Sequence, residues 1–159
     1  GVPGTRNLPD DGEVEEALLS YQQLFAPERQ KTRVRHFREQ ARQLMYMLAP
    51  FNPYLSGQVV SGSAGRYSAI DIHLFAESPK QVEIFLIDHQ VPYRSGGKRM
   101  YIGNAYRDIS ALQLDSFDVE FNVLIFEVGD LRRAIRYSPQ GRALDRADLD
   151  WLDSVLQSE

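Results

Sequence analysis

Between Val59 and Phe75 the chain passes from one β-branched, apolar run to another through Ser61-Gly62-Ser63-Ala64-Gly65, and the rest of the fold has to be arranged around that passage. Small residues between two such runs fit a strand over residues 55–61, a tight turn, and a second strand over 68–75. Gly62 and Gly65 are free to take a positive φ there, or to let a ligand approach the main chain. Consecutive amides in a turn of this kind form an anion-binding nest. Side chains alternate along a strand, so Ala69, Asp71 and His73 share one face, while Ile70, Ile72 and Leu74 share the other and enter the core.

The flanking segments carry a helical period before this passage and a mixture after it. Val14, Ala17, Leu18, Tyr21, Leu24 and Phe25 recur at helical spacing, which predicts a helix over 13–25. Pro27 opens a second helix, whose stripe of Val34, Phe37, Ala41, Leu44 and Leu48 ends before Pro50 and Pro53. Arg29, Lys31, Arg33, Arg35, Arg38 and Arg42 surround that stripe. They read first as a solvated face, and second as a surface that flanks the Gly62 turn and holds phosphates or contacts RNA. Farther on, Ser78, Pro79 and Gln81 predict a helix start with a capping box, followed by Val82, Phe85, Leu86 and His89 on one face. A hairpin is expected from 91–94 and 99–102, closed through Ser95-Gly96-Gly97-Lys98, with a basic rim of Arg94, Lys98 and Arg99 that reads first as edge protection and second as a contact for an anionic ligand. Residues 109–114 and 118–126 predict an antiparallel pair, with Val119, Phe121, Val123 and Ile125 inward and Asp118, Glu120 and Asn122 on the opposite face. A short helix over 130–137, a turn at 138–141 and a last helix capped by Asp145, with Asp148 at the capping-box position, complete the chain. The pattern is α+β: a mixed, largely antiparallel sheet with helices packed mainly on one side.

The Gly62-Ser63 pair, the loop after it and the strand bearing Asp71 resemble the polymerase β-like nucleotidyltransferase superfamily. Its signature is a Gly-Ser ending one strand, a short loop, and a strand with two acids two residues apart, often within Ser-Asp-x-Asp. In one register Ser68-Ala69-Ile70-Asp71 covers the signature, with Ala69 in place of the first acid. In the other, Asp71-Ile72-His73-Leu74 covers it, with His73 in place of the second. The resemblance implies Mg²⁺ held by carboxylates and a nucleoside triphosphate as ligand. Carried onto this chain, it implies Asp71 and Glu120 as catalytic acids, with Asp118 as the second choice for the acid on the neighbouring strand, and Asp71, Glu120 and His73 as metal ligands. Gly62, Ser63, Gly65, Arg66 and Ser68 are implied as the phosphate cradle. Imidazole suits Mg²⁺ poorly, so the expectation is a nucleotidyltransferase-like domain, noncatalytic or weakly active, that binds a nucleotide or a protein partner near the Gly62-Ser63 turn. The alternative is an active, divergent nucleotidyltransferase using Asp71 and Glu120.

At 159 residues the chain is long enough for one substantial core, and the reading is a flexible segment over 1–12 followed by a single domain over 13–159. A net charge of −4 argues against bulk nucleic-acid binding. Zero cysteines exclude disulfides, thiolate metal sites and a cysteine nucleophile, and fit a cytoplasmic protein. No apolar run approaches the roughly 18 residues a membrane span needs, so no membrane partner is expected.

Overall fold

The computed structural model describes residues 11–62, 69–115 and 117–158. A single helix, α1 (Asp11–Met47), stands where two were expected on either side of Pro27. A proline inside a helix removes one hydrogen bond and costs about 3 kcal/mol. Burying the stripe that follows it, at about 1.5–3 kcal/mol for each large side chain, outweighs that cost. Val34, Phe37, Ala41, Leu44 and Leu48 are all buried in the main core.

Strand β1 (Tyr54–Ser56) is three residues long, not the seven-residue run expected over 55–61, because Gly57 takes φ +83° and turns the chain into the helical turn α2 (Gln58–Ser61). Val59 enters the main core from that turn. Its β-branched character is overridden by packing, and Arg38 of α1 secures the arrangement, its Nε donating to the carbonyl of Val59 (3.1 Å) and its Nη2 to that of Val60 (3.2 Å). These carbonyls end a helical turn and have no partner within it.

Strand β2 (Ile70–Phe75) runs parallel to β5 (Phe121–Phe126) and antiparallel to β1. Helix α3 (Pro79–Asp88) follows, with Ser78 at its N-cap but without the side-chain cap bond expected of a capping box. The glycines at 96 and 97 close no hairpin. They lie inside one continuous strand, β3 (Arg94–Ile102), which pairs along its whole length with β4 (Ala105–Leu114). The turn lies instead between Ile102 and Ala105, where Gly103 takes φ +65° and supplies the left-handed residue a two-residue hairpin loop requires. Residues 130–137 form no α-helix: a 3₁₀ turn spans Val128–Arg132 and a short strand β6 spans Ile135–Arg136. After β7 (Arg146–Ala147), helix α4 (Leu149–Ser158) is capped by Asp148 and not Asp145, the Asp148 carboxylate accepting the Trp151 amide at 2.9 Å.

The sheet order is β6-β3-β4-β5-β2-β1-β7. Ile70, Ile72, Leu74, Phe121, Val123 and Ile125 face α1, α3 and α4 in the main core. The opposite face carries a smaller cluster, in which Phe75, Met100, Leu124, Phe126 and Ile135 pack with Leu131 and Leu144. The α+β class and the one-sided helix layer expected from the sequence are thus present. Among the described residues no helix is long and apolar enough to cross a membrane.

Candidate functional site

Strand pairing sets the side chains of the second face in rows, because residues paired across a sheet project to the same side. One row is polar from end to end: Arg94 pairs with Gln113, Gln113 with Asn122, Asn122 with Asp71, Asp71 with Ser56, and Ser56 with Arg146. Asp71 is the acid at its centre. The amide of Asn122 donates to Asp71 Oδ1 at 3.4 Å, and the backbone of Gly57 lies so close that a Cβ there would meet Asp71 Oδ2 at 3.1 Å. Burial pushes the Asp71 carboxyl above its ordinary value, while the Asn122 hydrogen bond and the Lys98 charge pull the other way. The same carboxylate acts on Tyr137, whose phenol is raised by burial and then by the Asp71 charge.

The next row, from Gly96 through Ala111 and Leu124 to His73, is small at one end and closed at the other. Over the small end lies a groove of about 260 Å³ lined by Arg94, Gly96, Lys98, Gln113, Asn122 and Leu124 among others. The Lys98 ammonium stands 4.7 Å from the centre of the Tyr137 ring. At the closed end His73 is 1% exposed, its ring 4.8 Å from that of Phe126. Its Nδ1 and Arg146 Nη1 are buried nitrogens without a hydrogen-bond partner among the described residues. Arg146 meanwhile donates through Nη2 to the Leu131 carbonyl at 3.0 Å and lies over the rings of Phe75 and Tyr54.

The residues read from the sequence are dispersed by this geometry. Asp71 and His73 share a face, as their spacing requires, but His73 is packed among aromatic rings. Glu120 is exposed just before β5, where its carbonyl accepts the Ile70 amide at 2.8 Å. Gly62 follows the helical turn α2, with φ +80°, and its carbonyl accepts from Gln30 Nε2 at 3.0 Å. It therefore does not end a strand beside Asp71, and Gly57 is the glycine that does. Ser63, Gly65, Arg66 and Ser68 lie outside the described residues. Among the described residues no group of three or more His, Asp or Glu side chains is placed to hold a metal ion, and residues 63–68 contain no acid. Among the described residues, the side chain hydrogen-bonded to the Asp71 carboxylate is the Asn122 amide.

No family model, curated protein or solved structure matches the chain.

Gly57 and Asn122 are the site residues that sequence reasoning passed over. Asn122 had a signal, since it alternates with Glu120 on the polar face of its strand. Lys98 is legible as part of a basic rim open to an anionic ligand, but a hairpin tip would place it away from Asp71, whereas it lies within β3. Of the basic residues on α1, Arg38 does reach the turn before Gly62, where it donates to the main-chain carbonyls of Val59 and Val60. Arg42 is engaged by Asp153 of α4, which also accepts the Tyr46 hydroxyl.

Proposed function

We propose that this domain is a nucleotidyltransferase-like protein that binds a nucleotide, with little or no transfer activity. The supporting observation is the amide of Asn122 against Asp71, where two-metal chemistry wants a second carboxylate to clamp attacking and leaving oxygens. A strand-ending glycine, a short helical turn after it and an acid-bearing strand paired with the first strand support the resemblance when Gly57 is taken as that glycine. Fold-level analogy alone does not assign chemistry, so the reading rests on the donor set. A protein partner at the same face is the second form of this reading, and an active enzyme using Asp71 and Glu120 is the alternative.

Calorimetric titration with ATP, with and without Mg²⁺, tests it. The expected outcome is nucleotide binding without transfer above background. Transfer at an ordinary enzymatic rate that Asp71→Ala abolishes would establish the alternative, and absence of heat at millimolar ATP would leave the protein-partner form. Ala69→Asp, two residues before Asp71 on the same face, together with Asn122→Asp, across the sheet from it, is expected to raise Mg²⁺ affinity above that of the unmodified chain.

A further inference from the structure

The groove beside Asp71 is built for an anion. Its floor is backbone, because Gly96 has no side chain and a Cβ there would stand 3.4 Å from the Ala111 carbonyl oxygen. Arg94 and Lys98 lie two residues to either side of Gly96 on the same strand face, about 7 Å away along the strand at its rise of roughly 3.3 Å per residue. Both side chains are long enough to meet over it. Lys98 is exposed, and among the described residues no carboxylate lies within ion-pairing distance of it. Arg94 is paired with Asp115 at 2.8 Å on the open rim, both side chains more than half exposed, and such a pair holds its cation weakly in water. Gln113 and Asn122 add amide donors from the adjoining strands. Asp71, at the far side of Asn122, repels an anion and confines it to the β3 end.

We propose that this groove binds the diphosphate or other phosphate-bearing end of a small molecule without a metal ion, with Lys98 and Arg94 supplying the charge and Gln113 and Asn122 the hydrogen bonds. A lysine then does electrostatically what Mg²⁺ does beside a carboxylate pair, and phosphate oxygens accept from the ammonium, guanidinium and amide groups. The volume suits a diphosphate better than a whole nucleotide, whose remainder would extend beyond the rim. The inference rests on the nucleotide reading only for the identity of that remainder.

The test is calorimetric titration of the intact chain with inorganic pyrophosphate in EDTA. Binding is expected to persist in EDTA, to weaken about tenfold or more in Lys98→Ala and in Gly96→Val, to weaken in Asn122→Asp, and to tighten in Asp71→Asn, with circular dichroism verifying the fold of each variant. Lys98 is a surface residue, so its variant keeps the test decisive if Gly96→Val does not fold. Absence of pyrophosphate binding overturns the proposal, as does binding that ignores Lys98→Ala. Binding that requires Mg²⁺ and strengthens in Asn122→Asp overturns it in favour of a metal site. If pyrophosphate behaves as expected but ATP binds no tighter, the groove stands and the nucleotide reading falls. If ATP binds and is indifferent to Lys98→Ala and Gly96→Val, the nucleotide reading stands and the groove falls.

Discussion

His73 is the residue at which the site's electrostatics reach stability. Burial, then the charges of Arg146 and Lys98, pull its pKa from 6.5 down to about 3, so the folded chain keeps the ring neutral while the unfolded chain protonates it below pH 6.5. The unfolded state therefore binds more protons between those values, and stability falls as pH drops from about 6.5 towards 3. The contribution is on the order of a few kcal/mol at its limit. Asp71 works in the opposite sense, because its raised carboxyl takes up a proton in the folded state first, so the comparison has to be made between variants. His73→Leu is expected to flatten the loss of stability across that window relative to the unmodified chain, as read by urea unfolding at successive pH values. An equal slope in both proteins would mean that the ring is protonated in the fold. Sequence alternation put His73 on the same face as Asp71, but which row of that face is covered depends on Phe126 and Arg146, which come from distant parts of the chain.

Among the elements, β1 and the turn after it show how a single glycine decides the course of the chain. Gly57 and Gly62 both take positive φ, but only Gly57 stands against a carboxylate. Among the described residues, a Cβ at Gly62 would meet nothing closer than Arg38 Nη2 at 3.8 Å. Gly62→Ala is therefore expected to cost about 1–2 kcal/mol, the usual penalty for a left-handed L-residue. Gly57→Ala should cost more and displace Asp71 as well. Denaturant midpoints for the two variants check the order. The apolar faces of α1, α3 and β5 were legible in the sequence, because periodicity survives whatever the element packs against. The hairpin was not, because Gly-Gly in a strand and Gly-Asn in a turn look alike until the backbone angles are known. Val59 and Val60 read as strand for the same reason, since local preference is a small term beside the burial of Val59 and the two hydrogen bonds from Arg38.

On the scale of the whole molecule, one sheet separates two apolar layers, and each side chain of β2 and β5 belongs to one layer or the other. Because both layers share these strands, the domain is expected to unfold as one unit. Phe126→Ala, made in the smaller layer, should lower stability by about 3–5 kcal/mol. The midpoint followed by Trp151 fluorescence, from the helical side, should shift as far as that followed by far-ultraviolet circular dichroism. Separate transitions would show that the second layer melts alone. The parallel pairing of β2 with β5 was not legible in the sequence, since α3 and the β3–β4 hairpin intervene and no local pattern announces a partner. The polar row from Arg94 to Arg146 depends on that pairing, and it confines how such a chain can change in length. An insertion or deletion of one residue within any of its strands would turn that strand's polar member into the oily layer and raise an aliphatic residue in its place. A connection such as the one between α3 and β3 can grow or shrink without moving the row, so heritable variation in length is tolerated in the joints and forbidden in the strands.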